Sequence, residues 1–472
     1  MVEIFKNNKL VFIYSVCLSL VLIVSNICIA YFAPAINFDL DFFVYLILTV
    51  IPLIIIGCLA FKKLKNRQVK IIFYSVIILI YLFIIVHAQV TSGDYQAFLS
   101  QWYNFYKNNT LKVSLYKIID VSNYTPFYNY FLIVFAKLNL NPLYSIKYLT
   151  YLFSLLLAFI IEKIISNIRK EDFNYLRFIL VLIIPSVLIE YSAWGQCDAI
   201  YTSFALISLY FALNKKSKLS FMFIGLSFAT KLQFLFIVPI LFVMLIVKDE
   251  SGEHYLKWKD IWIAPLMYAV NLIPVFAGRS VIDLLSVYIS QSVFDYRISG
   301  DCANFCLSYM ILSFEIATGV SSLYNVLIYV HVIVTFLLML FILYFTLRYN
   351  KIKTLSKVDL IFIGTLFSFV MVFFMPKMLD RFYFISLCLS YILMWCKPSK
   401  INFIIFTLIS NSIYFMMYLH ISACFSTTLS VVLTTAIALI SAAINLSLLF
   451  YVFYKDYIKT TITKKQNKVV YE

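Results

Sequence analysis

Apolar stretches of roughly 20 residues recur along the whole chain, separated by short charged clusters, and each is about long enough to cross a bilayer as a helix. Runs such as Leu10 to Cys28 lack the period-two alternation of a transmembrane β-barrel. No polar tract is long enough to fold as a separate soluble domain. The pattern predicts an all-α, polytopic transmembrane protein with about 11–14 spans, folded as one unit over residues 1–472.

The charged clusters set a topology, because cytoplasmic loops collect Lys and Arg. Lys6 and Lys9 precede a first run, Leu10 to Ala30, which is too long for a signal peptide. Asp39 and Asp41 follow without a basic residue, then a span from Leu40 to Phe61 and a cluster of Lys62, Lys63, Lys65, Arg67 and Lys70. Residues 1–70 therefore read as a pair of spans with both basic ends inside. A third run, Ile71 to Val86, delivers Ser92-Gly93-Asp94-Tyr95 to the outer face.

Residues 90–125 carry Trp102, Tyr103, Phe105 and Tyr106 among charges, as juxtamembrane helices of a first large outer loop do. Pro126 to Leu138 is short enough to dip without crossing. Leu143 to Glu162 then runs inward to Lys163, Arg169, Lys170 and Arg177, and Phe178 to Ile189 returns Trp194 and Asp198 to the outer face. Leu219 to Val247, interrupted by Lys231 and Gln233, reads as a tight pair of short spans with Lys231 at the outer apex. Residues 279–322 form a second outer loop in which Phe305 to Thr318 is a second dipping segment. On this scheme most of the 38 Lys and Arg fall inside while the 22 acids divide evenly, as the positive-inside rule expects.

Composition narrows the class further. The chain is 63% hydrophobic and 13% charged, against about 25% charged for a soluble domain. A net charge of +16 could suggest nucleic acid, but the charges lie in loop clusters and form no stripe interleaved with aromatics, so no nucleic-acid partner is expected. The nine Cys follow no metal-ligand spacing. Cys302 and Cys306 share a polar loop, where a disulfide and a common helix face are both open. There is no Walker loop, no paired His and no G-x-S-x-G elbow. His87 and His420 sit at span ends without sequence partners and read as structural.

Two carboxylates sit where spans open outward. Asp94 could act as a general base, and Gly93 would let the backbone turn tightly beside it. Asp198 could line the same site or cap the helix that follows it. Lys231 and Gln233 interrupt an apolar hairpin; a charge there is usually paired or functional, although a lysine can also reach back to the interface. Arg279 could fork onto a phosphate or simply face headgroups. Asp94 and Asp198 together could hold a divalent metal, but nothing in the sequence demands a metal or any other cofactor.

Several of these tracts resemble, in order, a family of bacterial membrane mannosyltransferases related to the second mannosyltransferase of GPI-anchor synthesis, within the GT-C superfamily. They are Ser92-Gly93-Asp94-Tyr95 with Trp102-Tyr103, Asn123-Tyr124-Thr125-Pro126, and Trp194-Gly195-Gln196-Cys197-Asp198-Ala199-Ile200-Tyr201. Thr230-Lys231-Leu232-Gln233, Gly278-Arg279-Ser280, Asp283-Leu284-Leu285 and Gln291 follow. The likeness covers residues 90 to 390 or so; Trp-Gly-Gln-Cys-Asp is its most specific part. It implies a GT-C glycosyltransferase in the plasma membrane, with its active site outside. Such an enzyme would move a hexose, mannose being the family's sugar, from a polyprenyl-phosphate donor to a glycan or lipid acceptor with inversion. The resemblance makes Asp94 the catalytic acid of the first outer loop, and Tyr95, Gln196, Asp198, Lys231, Gln233, Arg279 and Arg381 substrate-binding residues. Where the family often has His-Glu-Arg-Tyr, this chain has Leu379-Asp380-Arg381-Phe382, so an imidazole is missing.

Two other classes stay open from sequence. A transporter or flippase would place polar residues at mid-membrane on two matching halves, but no internal repeat is visible. A polysaccharide polymerase would share the outer loops and use a lipid-linked oligosaccharide.

Overall fold

The computed structural model describes residues 91–275, 280, 282–283, 285–288, 297–300, 302–312, 323–421 and 428–463. The expected spans within residues 1–90 and Arg279 lie outside these residues. Among the described residues the chain is all-helical, with isolated bridges in place of strands.

The first outer loop is a run of short helices: α1 (Ser100–Asn108), α2 (Leu111–Tyr116) and α3 (Ile118–Val121), leading into α4 (Pro126–Lys137). Helix α4 has 12 residues and spans about 18 Å at 1.5 Å per residue, short of a bilayer core. The long α5 (Pro142–Arg169) starts from Asn141, whose side chain accepts from the Tyr144 amide, with Pro142 at the first helical position.

The run read as one span from Phe178 is broken. Helices α6 (Tyr175–Leu182) and α7 (Pro185–Ile189) meet Pro185, which cannot donate to the helix ladder, and the axis bends by 62°. Helices α8 (Asp198–Leu213) and α9 (Ser217–Thr230) form an antiparallel pair. Then come α10 (Val238–Ile246), α11 (Ile263–Leu272), α12 (Leu307–Leu312) and α13 (Leu323–Asn350). Helix α14 (Lys357–Phe374) opens with a capping box of Ser356 and Asp359, and α15 (Phe384–Cys396), α16 (Lys400–Ile421) and α17 (Thr428–Phe453) close the fold.

Among the described residues, four helices are long and apolar enough to cross a membrane: Pro142–Arg169, Leu323–Asn350, Lys357–Phe374 and Thr435–Thr463. Counting the bent pair Tyr175–Leu182 with Pro185–Trp194 as one span makes five. Helices α8, α14 and α15 are buried nearly all round and form the core. Helix α13 is the opposite case: Tyr329, Phe336 and Leu337 are more than half exposed, as on a wall facing lipid.

Candidate active site

Four breaks in helical geometry converge on one cavity. The first is a π-helical turn, Tyr95–Leu99, directly after Asp94. Ser92 fixes its start: the Ser92 hydroxyl accepts from the Tyr95 amide at 3.1 Å and donates to the Trp194 carbonyl at 3.0 Å. The second is another π-helical turn, Glu190–Trp194, closed by Gly195 at φ 67°. The third is the extended backbone at Lys231, followed by the 3-10 turn Leu232–Phe236. The fourth is the 3-10 turn Asp380–Tyr383. Irregular backbone inside a helical membrane protein is tolerated where it lines a cavity, and π-turns are frequent at functional sites.

Gly195 is the glycine the geometry needs, because its φ is left-handed and a Cβ would lie 3.1 Å from Ile146 Cγ2. Gly93, expected to permit a tight turn, has an ordinary φ and open space around its Cα. Asp94 is instead presented by the first turn of a right-handed helix.

Arg381 organises the charges. Its Nη2 lies 3.2 Å from Asp94 Oδ2 and its Nε 3.3 Å from Asp198 Oδ2. The guanidinium stacks over the Trp194 ring at 5.2 Å. Burial by itself disfavours that charge, but Asp94 and Asp198 outweigh it and lift the Arg381 pKa above its ordinary value. Asp94 Oδ2 also accepts from Trp194 Nε1 at 2.9 Å and from Gln196 Nε2 at 3.1 Å. Gln196 is held in turn by the Tyr124 hydroxyl, which donates to Gln196 Oε1 at 2.6 Å. Burial pushes the Tyr124 phenol well above its usual range, so it stays a donor.

Asp198 is the first residue of α8, where it makes no side-chain cap bond, and it is fully buried and not part of the cavity lining. Its Oδ1 pairs with Lys231 Nζ at 2.9 Å. Lys231 does not reach out to the interface. It is buried, with the Tyr124, Tyr201 and Phe382 rings 5.3, 5.7 and 5.8 Å from its ammonium. Glu190, a buried carboxyl that accepts the Asp198 amide at 3.2 Å, was not among the sequence candidates.

The cavity encloses about 570 Å³, within the usual range for small-molecule sites. Its polar lining includes Asp94, Gln196, Lys231, Gln233, Arg381 and Asn123. Gln233 Oε1 is buried with no hydrogen-bond partner among the described residues. Arg297 and Lys377 also line it, brought together by pairing of residues 298–300 with 377–379. In that pairing the Lys377 amide donates to the Ile298 carbonyl at 2.8 Å and the Gly300 amide to the Met378 carbonyl at 3.0 Å. The apolar lining includes Phe98, Leu235 and Met371, with Ile328 and Val332 from α13.

Of the sequence candidates, Asp94, Gln196, Asp198, Lys231 and Arg381 form one connected cluster, and Gln233 joins them at the cavity wall. Tyr95 does not line the cavity. The Arg381 guanidinium lies between Asp94 and Asp198, the two carboxylates that in sequence could together hold a divalent ion. Among the described residues no three His, Cys, Asp or Glu side chains gather as metal ligands. Cys302 and Cys306 are buried and not joined in a disulfide. Trp194 and Tyr124 were visible as motif members, but their roles as donors to Asp94 and Gln196 were not; Arg297 carried no signal beyond its charge.

No protein-family model and no curated protein matches the chain.

Proposed function

We propose that this protein is a GT-C-type glycosyltransferase, moving a hexose from a polyprenyl-phosphate donor to the hydroxyl of a glycan or lipid acceptor. The observation that carries the reading is a cavity of mixed lining. It holds a carboxylate gripped by fixed donors. The same cavity is lined by Ile328 and Val332 of α13, whose remaining surface is largely exposed and apolar. A ligand with a polar sugar phosphate and an isoprenoid tail fits that lining, with the tail leaving along α13.

Asp94 is the proton acceptor. Three donors on one carboxylate oxygen fix its direction. The acceptor oxygen attacks the anomeric carbon, the bond from that carbon to the phosphate oxygen breaks, and Asp94 takes the hydroxyl proton. Polyprenyl phosphate leaves from the opposite face, so the anomeric configuration inverts. Lys231 is paired with Asp198 in the floor, and that makes it a weaker candidate for the phosphate than the sequence suggested. Arg297 and Lys377 are the other lining cations besides Arg381, and they supply charge for the leaving group. Gln233 Oε1 is placed to accept from a sugar hydroxyl.

Purified full-length protein supplied with a labelled polyprenyl-phosphate hexose and a mixture of candidate acceptors should release polyprenyl phosphate. Asp94→Asn should stop that release while the protein still folds. No release from the wild type under any acceptor would overturn the proposal, and a transporter or polymerase would take its place.

A further inference from the structure

At the far end of α8 from the ion cluster, about 24 Å away over 16 residues, the chain builds a second cavity. It is an open pocket of about 420 Å³ lined by Lys215, Lys216, Lys218, Lys257 and Lys259, together with Asp260. Lys215 is neutralised by Asp249 at 2.5 Å and Glu253 at 3.0 Å. The other four lysines are exposed and enter no ion pair among the described residues. Two segments bring them together, the start of α9 and the turn before α11, joined by a hydrogen bond from the Lys257 amide to Ser217 Oγ at 3.0 Å. One buried Asp260 cannot balance four ammonium groups in a concave site. The geometry selects for an anion.

The surroundings say which kind. Trp258, Ile261 and Trp262 are exposed beside the lysines, at 55%, 36% and 60%, in the manner of an interfacial aromatic belt. From there Leu266, Val270 and Ile273 continue as exposed residues spaced by four and three, a single apolar face running up α11. A free anion would use the lysines and leave this face unexplained. A phospholipid uses both.

We propose that this cavity binds an anionic phospholipid, its phosphate among Lys216, Lys218, Lys257 and Lys259 and its acyl chains along α11. The site stands apart from the Asp94 cavity and does not depend on the function proposed for it.

The test uses full-length protein in nanodiscs of phosphatidylcholine carrying increasing phosphatidylglycerol, with bound lipid counted by native mass spectrometry. Phosphatidylglycerol should be retained selectively, and inorganic phosphate should not displace it. Each lysine near an anionic headgroup contributes about fivefold in affinity, so K257Q/K259Q should weaken retention about 25-fold. The control pair K351Q/K353Q removes the same charge from exposed residues after α13 and should leave retention within about twofold. Equal losses in the two double variants would reduce the effect to diffuse attraction and overturn the site. So would displacement by inorganic phosphate, or retention of phosphatidylcholine equal to that of phosphatidylglycerol.

Discussion

Removing Lys231 and removing Asp198 should not cost the same, although the two are partners. Their side chains are 2.9 Å apart, with the lysine 4% and the aspartate 0% exposed. Breaking a buried pair from one side typically costs about 3–5 kcal/mol, because the remaining charge is left without compensation. Around this pair, however, three carboxylates (Asp94, Asp198 and Asp380) face two cations, Lys231 and Arg381. Lys231→Met deepens that acid excess and leaves Asp198 with Arg381 alone, so the full cost of about 3–5 kcal/mol applies. Asp198→Asn relieves the excess, and the orphaned ammonium still faces three aromatic rings, which return about 1–2 kcal/mol. Its expected cost is about 1–3 kcal/mol. Unfolding entropy near 2.1 cal/mol/K per residue gives about 1 kcal/mol/K over 472 residues. Melting should therefore fall by about 3–5 °C for Lys231→Met and about 1–3 °C for Asp198→Asn, as lower bounds if helices persist after unfolding. Buried Cys197, Cys302, Cys306 and Cys388 supply the assay, since a thiol-reactive dye reports their exposure during a thermal ramp. The double variant should melt higher than Lys231→Met alone. If Asp198→Asn melts as low as Lys231→Met, or lower, the acid-excess account is wrong.

Trp194→Phe keeps the ring under Arg381 but deletes one donor to Asp94; on the proposed function, transfer should slow about tenfold, with melting nearly unchanged. Gly195→Ala should destabilise by about 1–2 kcal/mol through its left-handed φ and the Ile146 contact, whereas Gly93→Ala should be silent; paired melts decide. Desolvation alone would raise the Asp249 carboxyl, but hydrogen bonds from Lys215 and Ser251 prevail and hold it at about 2. A depressed carboxylate stabilises above its unfolded value near 3.8 and loses that contribution as pH falls toward 2. Asp249→Asn should flatten the stability profile in that window alone, measured by the same melts.

Much of the helical plan was legible because long apolar runs have few alternatives in a membrane. The break at Lys231 was also legible, since a lysine and a glutamine interrupt an otherwise apolar stretch. The bend at Pro185 was not taken from the sequence, although a proline inside an apolar run signals one. At the site, Asp94 and Asp198 could be named because carboxylates at span ends are rare enough to notice. Their joint occupancy of Arg381 could not, because it depends on residues 94, 198 and 381 meeting across almost 300 positions of chain. Gly93 misled for a simple reason: a glycine beside an acid looks like a hinge, and only backbone angles separate it from Gly195.

Helix α13 touches the rest of the fold lightly, yet it supplies Ile328 and Val332 to the cavity. The charged residues of that cavity are cross-tied by ion pairs among four segments. On the proposed function, natural variation in α13 would retune which molecules enter while the charged cluster stays untouched, so that a gain in selectivity need not come at the expense of reactivity.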